Sequence, residues 1–233
     1  VDMSDSMNKK RDAVAQVAEK ITERLGKQCQ QYEIGVSNLV YKERVQIGGE
    51  LVVNYGEPAF ITENTKNGVE LLKERITAKT YYQENKSIEF MYAAGTSEKT
   101  YSSVLLTLPE HLKKSPSGLN NDSLVGVLIL SDAAPFFEDL PPQQALSQIQ
   151  ASLHGRPFMA SSLGASSLQC LDSPIKPGEL EWDQLVHQLT WLEEFSKNSY
   201  GYHWNICSDL DMDQSIDRFL NMLLQAAGCL LIV

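Results

Sequence analysis

Three oxygen-bearing side chains, Asp2, Ser4 and Ser6, stand at alternate positions in the run Val1-Asp2-Met3-Ser4-Asp5-Ser6-Met7. One carboxylate and two hydroxyls on a tight turn make an all-oxygen donor set. Such a set suits a hard divalent cation such as Mg²⁺, which takes about six oxygens and keeps several of them as water. A second carboxylate, Asp132, closes the clearest buried-strand signal in the chain, Leu124-Val125-Gly126-Val127-Leu128-Ile129-Leu130-Ser131. Between these points, Gly95-Thr96-Ser97-Glu98 offers two further hydroxyls at the head of a helical segment. Thr96 and Ser97 suit ion ligation and helix N-capping equally well, although Lys99 stands where a capping box needs Glu or Gln.

For those residues to meet, a strand must enter the first turn and a helix must leave it. Ala13, Val14, Val17, Ala18, Ile21 and Leu25 recur at three- and four-residue spacing, which predicts an amphipathic helix closed by Gly26. Tyr32 to Val36 alternates as a strand does, and Leu51-Val52-Val53 begins a second extended piece after Gly48-Gly49. Tyr41 to Ile47 reads as a hairpin or strand extension, and Asn67 to Ala78 as a short helix. Lys79 to Lys99 supports no firm assignment. Thr100 to Leu112 reads as a helix and Lys113 to Asp122 as a polar loop.

The run from Leu124 to Leu130 is continuously apolar, as in a parallel strand covered on both faces. A helix through Ala145, Ile149 and Leu153 follows, then a strand over Pro157 to Ser162 and a helix over Trp182 to Asn198. Tyr202 to Cys207 reads as another strand and Ile216 to Ala227 as a helix. This alternation predicts an α/β fold in one domain spanning 1–233. Its sheet is doubly wound and mostly parallel, with helices on both faces.

Composition narrows the function classes. The 233 residues carry a formal charge of −10, which argues against nucleic-acid or anionic-membrane binding, where a basic face is expected. No apolar run approaches the length of a membrane span, and no signal peptide is visible. The histidines His111, His154, His187 and His203 and the cysteines Cys29, Cys170, Cys207 and Cys229 lack zinc-site spacing. Four cysteines fit either two disulfides or four buried thiols.

The closing residues, Gly228-Cys229-Leu230-Leu231-Ile232-Val233, read as a central buried strand after a complete helix. Placed ahead of residue 1, they give Cys-Leu-Leu-Ile-Val-Val-Asp-Met-Ser-Asp-Ser-Met, the strand that the Asp2 turn lacks. A fold circularly permuted within its first strand is therefore expected, with 229–233 leading into residue 1. An ordinary edge strand, or the start of a second copy in a tandem array, are the alternatives.

Asp2-x-Ser4-x-Ser6 after an apolar strand, with Asp132 at a later strand end, resembles the metal-ion-dependent adhesion site of von Willebrand factor type A domains. The pattern is similar to exported bacterial members of that family, including the Gly95-Thr96-Ser97-Glu98 turn. Element order agrees over nearly the whole chain, while motif-level likeness is confined to three short segments. Asp5 and Ala133-Ala134 depart from the residues usual at those positions.

The resemblance implies a site in which Ser4, Ser6 and Thr96 (or Ser97) bind Mg²⁺, Mn²⁺ or Ca²⁺. Asp2 and Asp132 act there, often through water. An open coordination position would accept a carboxylate of a protein partner, and the Phe136-Phe137 loop would shape specificity. In the strand order 3-2-1-4-5-6 of that family, the resemblance also implies Cys29–Cys229 and Cys170–Cys207 disulfides. An extracellular, cell-surface or periplasmic location follows from those bonds.

Other chemistries fit less well. Asp209-x-Asp211-x-Asp213 mimics the start of a Ca²⁺ loop, but Gln214 and Leu220 occupy the positions where an EF-hand needs Gly and Glu. A Mg²⁺-dependent phosphohydrolase using Asp2 as nucleophile would need a second Asp where Ser4 stands. No nucleophile elbow, P-loop or dinucleotide fingerprint is present. The expectation is a non-enzymatic binding domain, with a purely structural von Willebrand-like module as its neighbour reading.

Overall fold

The run read as a buried strand is buried at every residue of β5 (Val125–Ser131). Its side chains divide by parity: Val125, Val127 and Ile129 enter one hydrophobic cluster, Leu128 and Leu130 another. That division is the signature of a sheet with a core on each face. A computed structural model of the chain describes residues 7–29, 31–37, 51–78, 80–83, 86–89, 105–115, 123–131, 140–165, 190–206, 212–225 and 229–232.

The sheet has six strands in the order β2-β1-β8-β5-β6-β7. These are β1 (Tyr32–Gly35), β2 (Ile61–Thr62), β6 (Phe158–Gly164), β7 (His203–Asn205) and β8 (Cys229–Ile232) with β5. The short edge strand β2 is antiparallel to β1. Each of the other neighbouring pairs is parallel. β8 pairs with β1 from Tyr32↔Cys229 to Gly35↔Ile232, and with β5 from Val125↔Leu230 to Val127↔Ile232. It is a central strand, so the edge-strand alternative for 229–233 is set aside. A separate hairpin joins β3 (Thr80–Gln83) to β4 (Lys86–Glu89), within the stretch that the sequence left unassigned.

One face of the sheet is covered by α1 (Asn8–Gln16), α2 (Ala18–Gln28), α3 (Gly68–Thr77) and α7 (Met212–Gln225). Val14, Ile21, Leu25, Leu72, Phe219 and Leu220 are 0–2% exposed there, each burial being worth about 1.5–3 kcal/mol. The other face is covered by α4 (Leu108–Leu112), α5 (Pro142–Ser152) and α6 (Trp191–Asn198), through Leu108, Ile149, Leu192 and Phe195. Lys20 and Arg24 on α2 form ion pairs with Asp213 and Asp217 on α7, at 2.6–2.8 Å.

Four local readings need correction. The first predicted helix is two, joined at Val17, where the Val17 N–H turns to the Val14 carbonyl three residues back. Gly26 does not close it: α2 runs on to Gln28, and Cys29 leaves in an extended conformation. The Leu51 extended piece makes only an isolated bridge to Ser37, and β2 forms further on. The Thr100 to Leu112 helix is described only from Leu105, which is helical, and a turn at Leu106 and Thr107 interrupts it before α4 resumes at Leu108 with Pro109 in the first turn. The Tyr41 to Ile47 segment lies outside the described residues.

The end of α6 is an unusual cap. The Gly201 N–H bonds the Ser196 carbonyl at 2.8 Å and the Tyr200 N–H bonds the Lys197 carbonyl at 3.2 Å, the Schellman arrangement. The left-handed position of that motif favours Gly, yet here it holds Tyr200 at φ 63° and 79% exposed. The glycine comes one residue later because a Cβ on Gly201 would lie 1.8 Å from the Ala160 carbonyl oxygen. Tyr200→Gly is expected to raise stability by about 0.5–1 kcal/mol in urea unfolding. Gly201→Ala is expected to lower it by more than about 2 kcal/mol. Removal of 226–233 deprives β1 and β5 of their shared neighbour. The cooperative unfolding transition followed by circular dichroism is then expected to vanish.

Candidate functional site

Ligands of parallel α/β sheets gather outside the carboxyl ends of the strands. At that edge the described chain supplies Ser131 at the end of β5, paired in register with Gly164 at the end of β6. The Ile206 N–H, just beyond β7, bonds the Gly164 carbonyl at 2.9 Å. Lys10, in the first turns of α1, donates from Nζ to the Ile206 carbonyl. That contact brings the start of α1 to the same edge. Met7, one residue before α1, is 0% exposed within the core.

Asp2, Ser4, Ser6, Thr96, Ser97 and Asp132 lie outside the described residues, as do Phe136 and Phe137. Their flanks are described on two sides. Ser6 is followed by buried Met7, and Asp132 is preceded by Ser131, which is 7% exposed. Among the described residues no group of three or more His, Cys, Asp or Glu is placed to hold a metal ion. Asp213 of the acidic triplet is engaged by Lys20 at 2.7 Å in the first turn of α7, a dipole-complementing position. Asp209 and Asp211 lie outside the described residues.

Cys29 is disulfide-bonded. Cys170 and Cys207 lie outside the described residues, whereas the backbone of Cys229 opens β8 level with Tyr32.

A buried polar cluster beneath this edge escaped the sequence reading. Ser162 Oγ lies 2.7 Å from Ser196 Oγ, 2.8 Å from His203 Nδ1 and 3.3 Å from the Leu192 carbonyl. A serine and a histidine at that distance resemble a nucleophile and its base. Ser162 and Ser196 are both 0% exposed, however, and no substrate atom can reach the hydroxyl. The cluster fastens α6 and β7 onto β6. Ser161 does likewise, accepting the Tyr202 N–H at 3.1 Å. Only the apolar context of Ser161-Ser162 within a predicted strand hinted at such partners.

No protein-family model, curated protein or solved structure matches the chain.

His203 sets an acid limit on this region. Burial lowers its pKa from the ordinary 6.5, with Glu193 opposing the shift and Lys197 adding to it. The unfolded chain therefore takes up this proton at a higher pH than the folded one. Stability is expected to fall as pH drops below about 6.5, until the folded-state histidine is also protonated. Urea unfolding against pH in His203→Gln should lose this slope. The separate loss below about pH 4.5 should remain, because the carboxylates held low by ion pairs, such as Glu23, Glu110 and Asp217, titrate there.

Proposed function

We propose that the chain is a von Willebrand factor type A-like domain that binds a protein partner through a divalent cation. The observation that carries this reading is the place of β8. With β8 taken as the first strand, the order β2-β1-β8-β5-β6-β7 with an antiparallel edge reads 3-2-1-4-5-6, the order expected from the resemblance. In that reading residues 229–233 supply the strand that leads into Asp2, and α1 is the helix that leaves the turn. Ser131 then ends the neighbouring strand, with Asp132 directly after it.

The donor set fits a hard cation, being hydroxyl and carboxylate oxygens only. Ser4, Ser6 and Thr96, with Ser97 as the alternate donor, would hold Mg²⁺, Mn²⁺ or Ca²⁺, with Asp2 and Asp132 as anionic supports. Such an ion supplies a positive charge and an open position for a partner's carboxylate. In this reading the chain's own residues would position it, with buried Met7 holding the turn from the core side and β5, which ends at Ser131, leading into Asp132.

The disulfide at Cys29 supports an exported protein. A Cys29–Cys229 bond would join the end of α2 to the start of β8, and Cys170–Cys207 would be its counterpart at the other edge. Among the described residues no helix is long and apolar enough to cross a membrane.

Metal-induced stabilisation tests the site without knowledge of the partner. A single site filled to 100 times its Kd adds about 2.7 kcal/mol to unfolding. Mg²⁺ or Mn²⁺ is expected to raise the midpoint of thermal unfolding, and Asp2→Ala and Ser4→Ala are expected to abolish the rise. An equal rise in all three proteins would refute the assignment. Hydrolysis of a generic phosphoester in Mg²⁺ that depends on Asp2 would replace it with an enzyme.

A further inference from the structure

A second, independent feature lies at the opposite end of the sheet, where β1 begins and antiparallel β2 ends. An open cavity of about 350 Å³ lies between α2 on one side and the β2–α3 turn on the other. Its walls carry the carboxylates of Glu19 and Glu23 from α2 and of Glu63 from the turn. Thr22 and Thr65 line it as well, and Val69 gives it an apolar side.

The hydrogen bonding leaves acceptor capacity on these side chains. Thr22 Oγ spends its proton on the Ala18 and Glu19 carbonyls, at 3.1 and 2.9 Å. Thr65 Oγ takes the Thr62 N–H at 2.8 Å, which fixes the turn. Glu63 accepts the Tyr32 N–H at 3.3 Å and an Asn64 side-chain N–H at 3.1 Å, so its carboxylate is held in place. Glu23 is paired with Lys27 on its own helix. Both side chains are more than half exposed, and a solvent-facing pair of that kind is worth little and easily exchanged.

Tyr32 is the independent pointer to a ligand. It lines this cavity while only 6% exposed. Its ring passes Gly26, one turn along α2 from Thr22 and Glu23, which directs the phenol toward the wall those residues build. The ring is buried, whereas the hydroxyl bonds no described residue and stays open to solvent on the cavity side, where a ligand can take it as a partner. Burial, and then Glu63, raise its pKa, so it stays protonated as donor and acceptor.

We propose that this cavity binds an alkyl guanidinium or ammonium group, the side chain of an arginine or lysine on a partner protein. Three glutamates and intervening hydroxyls supply acceptors, and among the described residues the displaceable Lys27, paired with Glu23, is the one cation bonded to any of the three. The carboxylates are not gathered as metal ligands would be, and the cavity is far larger than a dehydrated metal ion. A planar guanidinium on an aliphatic stem matches that size and pairs readily with carboxylates, while Val69 and the Tyr32 ring face the stem. This surface is distinct from the Asp2 edge and needs no ion there.

The test is titration with N-acetylarginine amide, read from the backbone amide resonances of Thr22, Gly68 and Val69 in the metal-free protein. Saturable shifts are expected, with affinity at least tenfold weaker in Glu19→Gln/Glu63→Gln and several-fold weaker in Tyr32→Phe. Glu19→Gln alone, at an exposed helix position, should weaken binding while leaving the spectrum's dispersion intact, so loss of fold cannot imitate the result. The neutral isostere N-acetylcitrulline amide should not bind. Equal binding of the citrulline compound, or unchanged affinity in the double variant, would overturn the proposal. Agmatine binding as tightly as the arginine amide would point to a free amine as the ligand and would overturn the assignment to a protein side chain.

Discussion

Parallel neighbours cannot be joined by tight turns, so each crossover in this sheet must carry chain across a face. The interior strands then have no side that tolerates water, and the division of β5 between two hydrophobic clusters follows from that constraint. α1, α2, α3 and α7 must close one face and α4, α5 and α6 the other. The amphipathic stripes of these helices exist to meet that demand. With both faces occupied, the sheet can present chemistry only at its two ends, where loops emerge. The Glu63 cavity lies at one of these ends, and the reading of Asp2 as an ion ligand assigns it to the other.

Charge is arranged around the same frame. The carboxylates of Asp213 and Asp217 are drawn into pairs with Lys20 and Arg24, which clamp α2 against α7. Arg75, 2% exposed, donates from its two terminal nitrogens to the Ala59 and Pro58 carbonyls and the Glu57 carboxylate, which pins the loop ahead of β2. Acidic groups used structurally in this way are not free for ligands. Glu19 and Glu63 differ because no described cation is bonded to either. An overall charge of −10 is thus unevenly distributed in purpose, and net charge alone would not separate the two kinds of carboxylate.

Much of the architecture was legible in the sequence because burial on two faces leaves an unmistakable trace. The apolar run of β5, the spacing of Ile216, Phe219, Leu220 and Leu223, and the strand-like ending at Cys229 each reflect a requirement with one solution. What escaped was set by contacts between distant residues. β2 is two residues long and exists only because β1 offers an edge. Gly26 carried a helix-stop signal that tertiary packing overrode, since Leu25 and Cys29 both belong to the core. The Ser162–His203 contact joins residues of two strands, and neither carries a local mark of the other. The same holds for the Glu63 cavity, whose walls are brought together by α2, β1 and the β2–α3 turn. The ligands of the proposed ion were legible only as residue types, and of their flanks the structure describes buried Met7 and Ser131.

The pairing of β8 also shapes how the fold is reached. Tyr32 waits for Cys229 and Val125 for Leu230, so both ladders at the middle of the sheet close across long stretches of chain. During synthesis β1 and β5 each expose a bare hydrogen-bonding edge until β8 emerges, with no local turn to pair them sooner. Such an order of events raises contact order and slows assembly. It also leaves two sticky edges open to other chains. Chaperone capture, or export before folding, would protect the nascent protein over that interval.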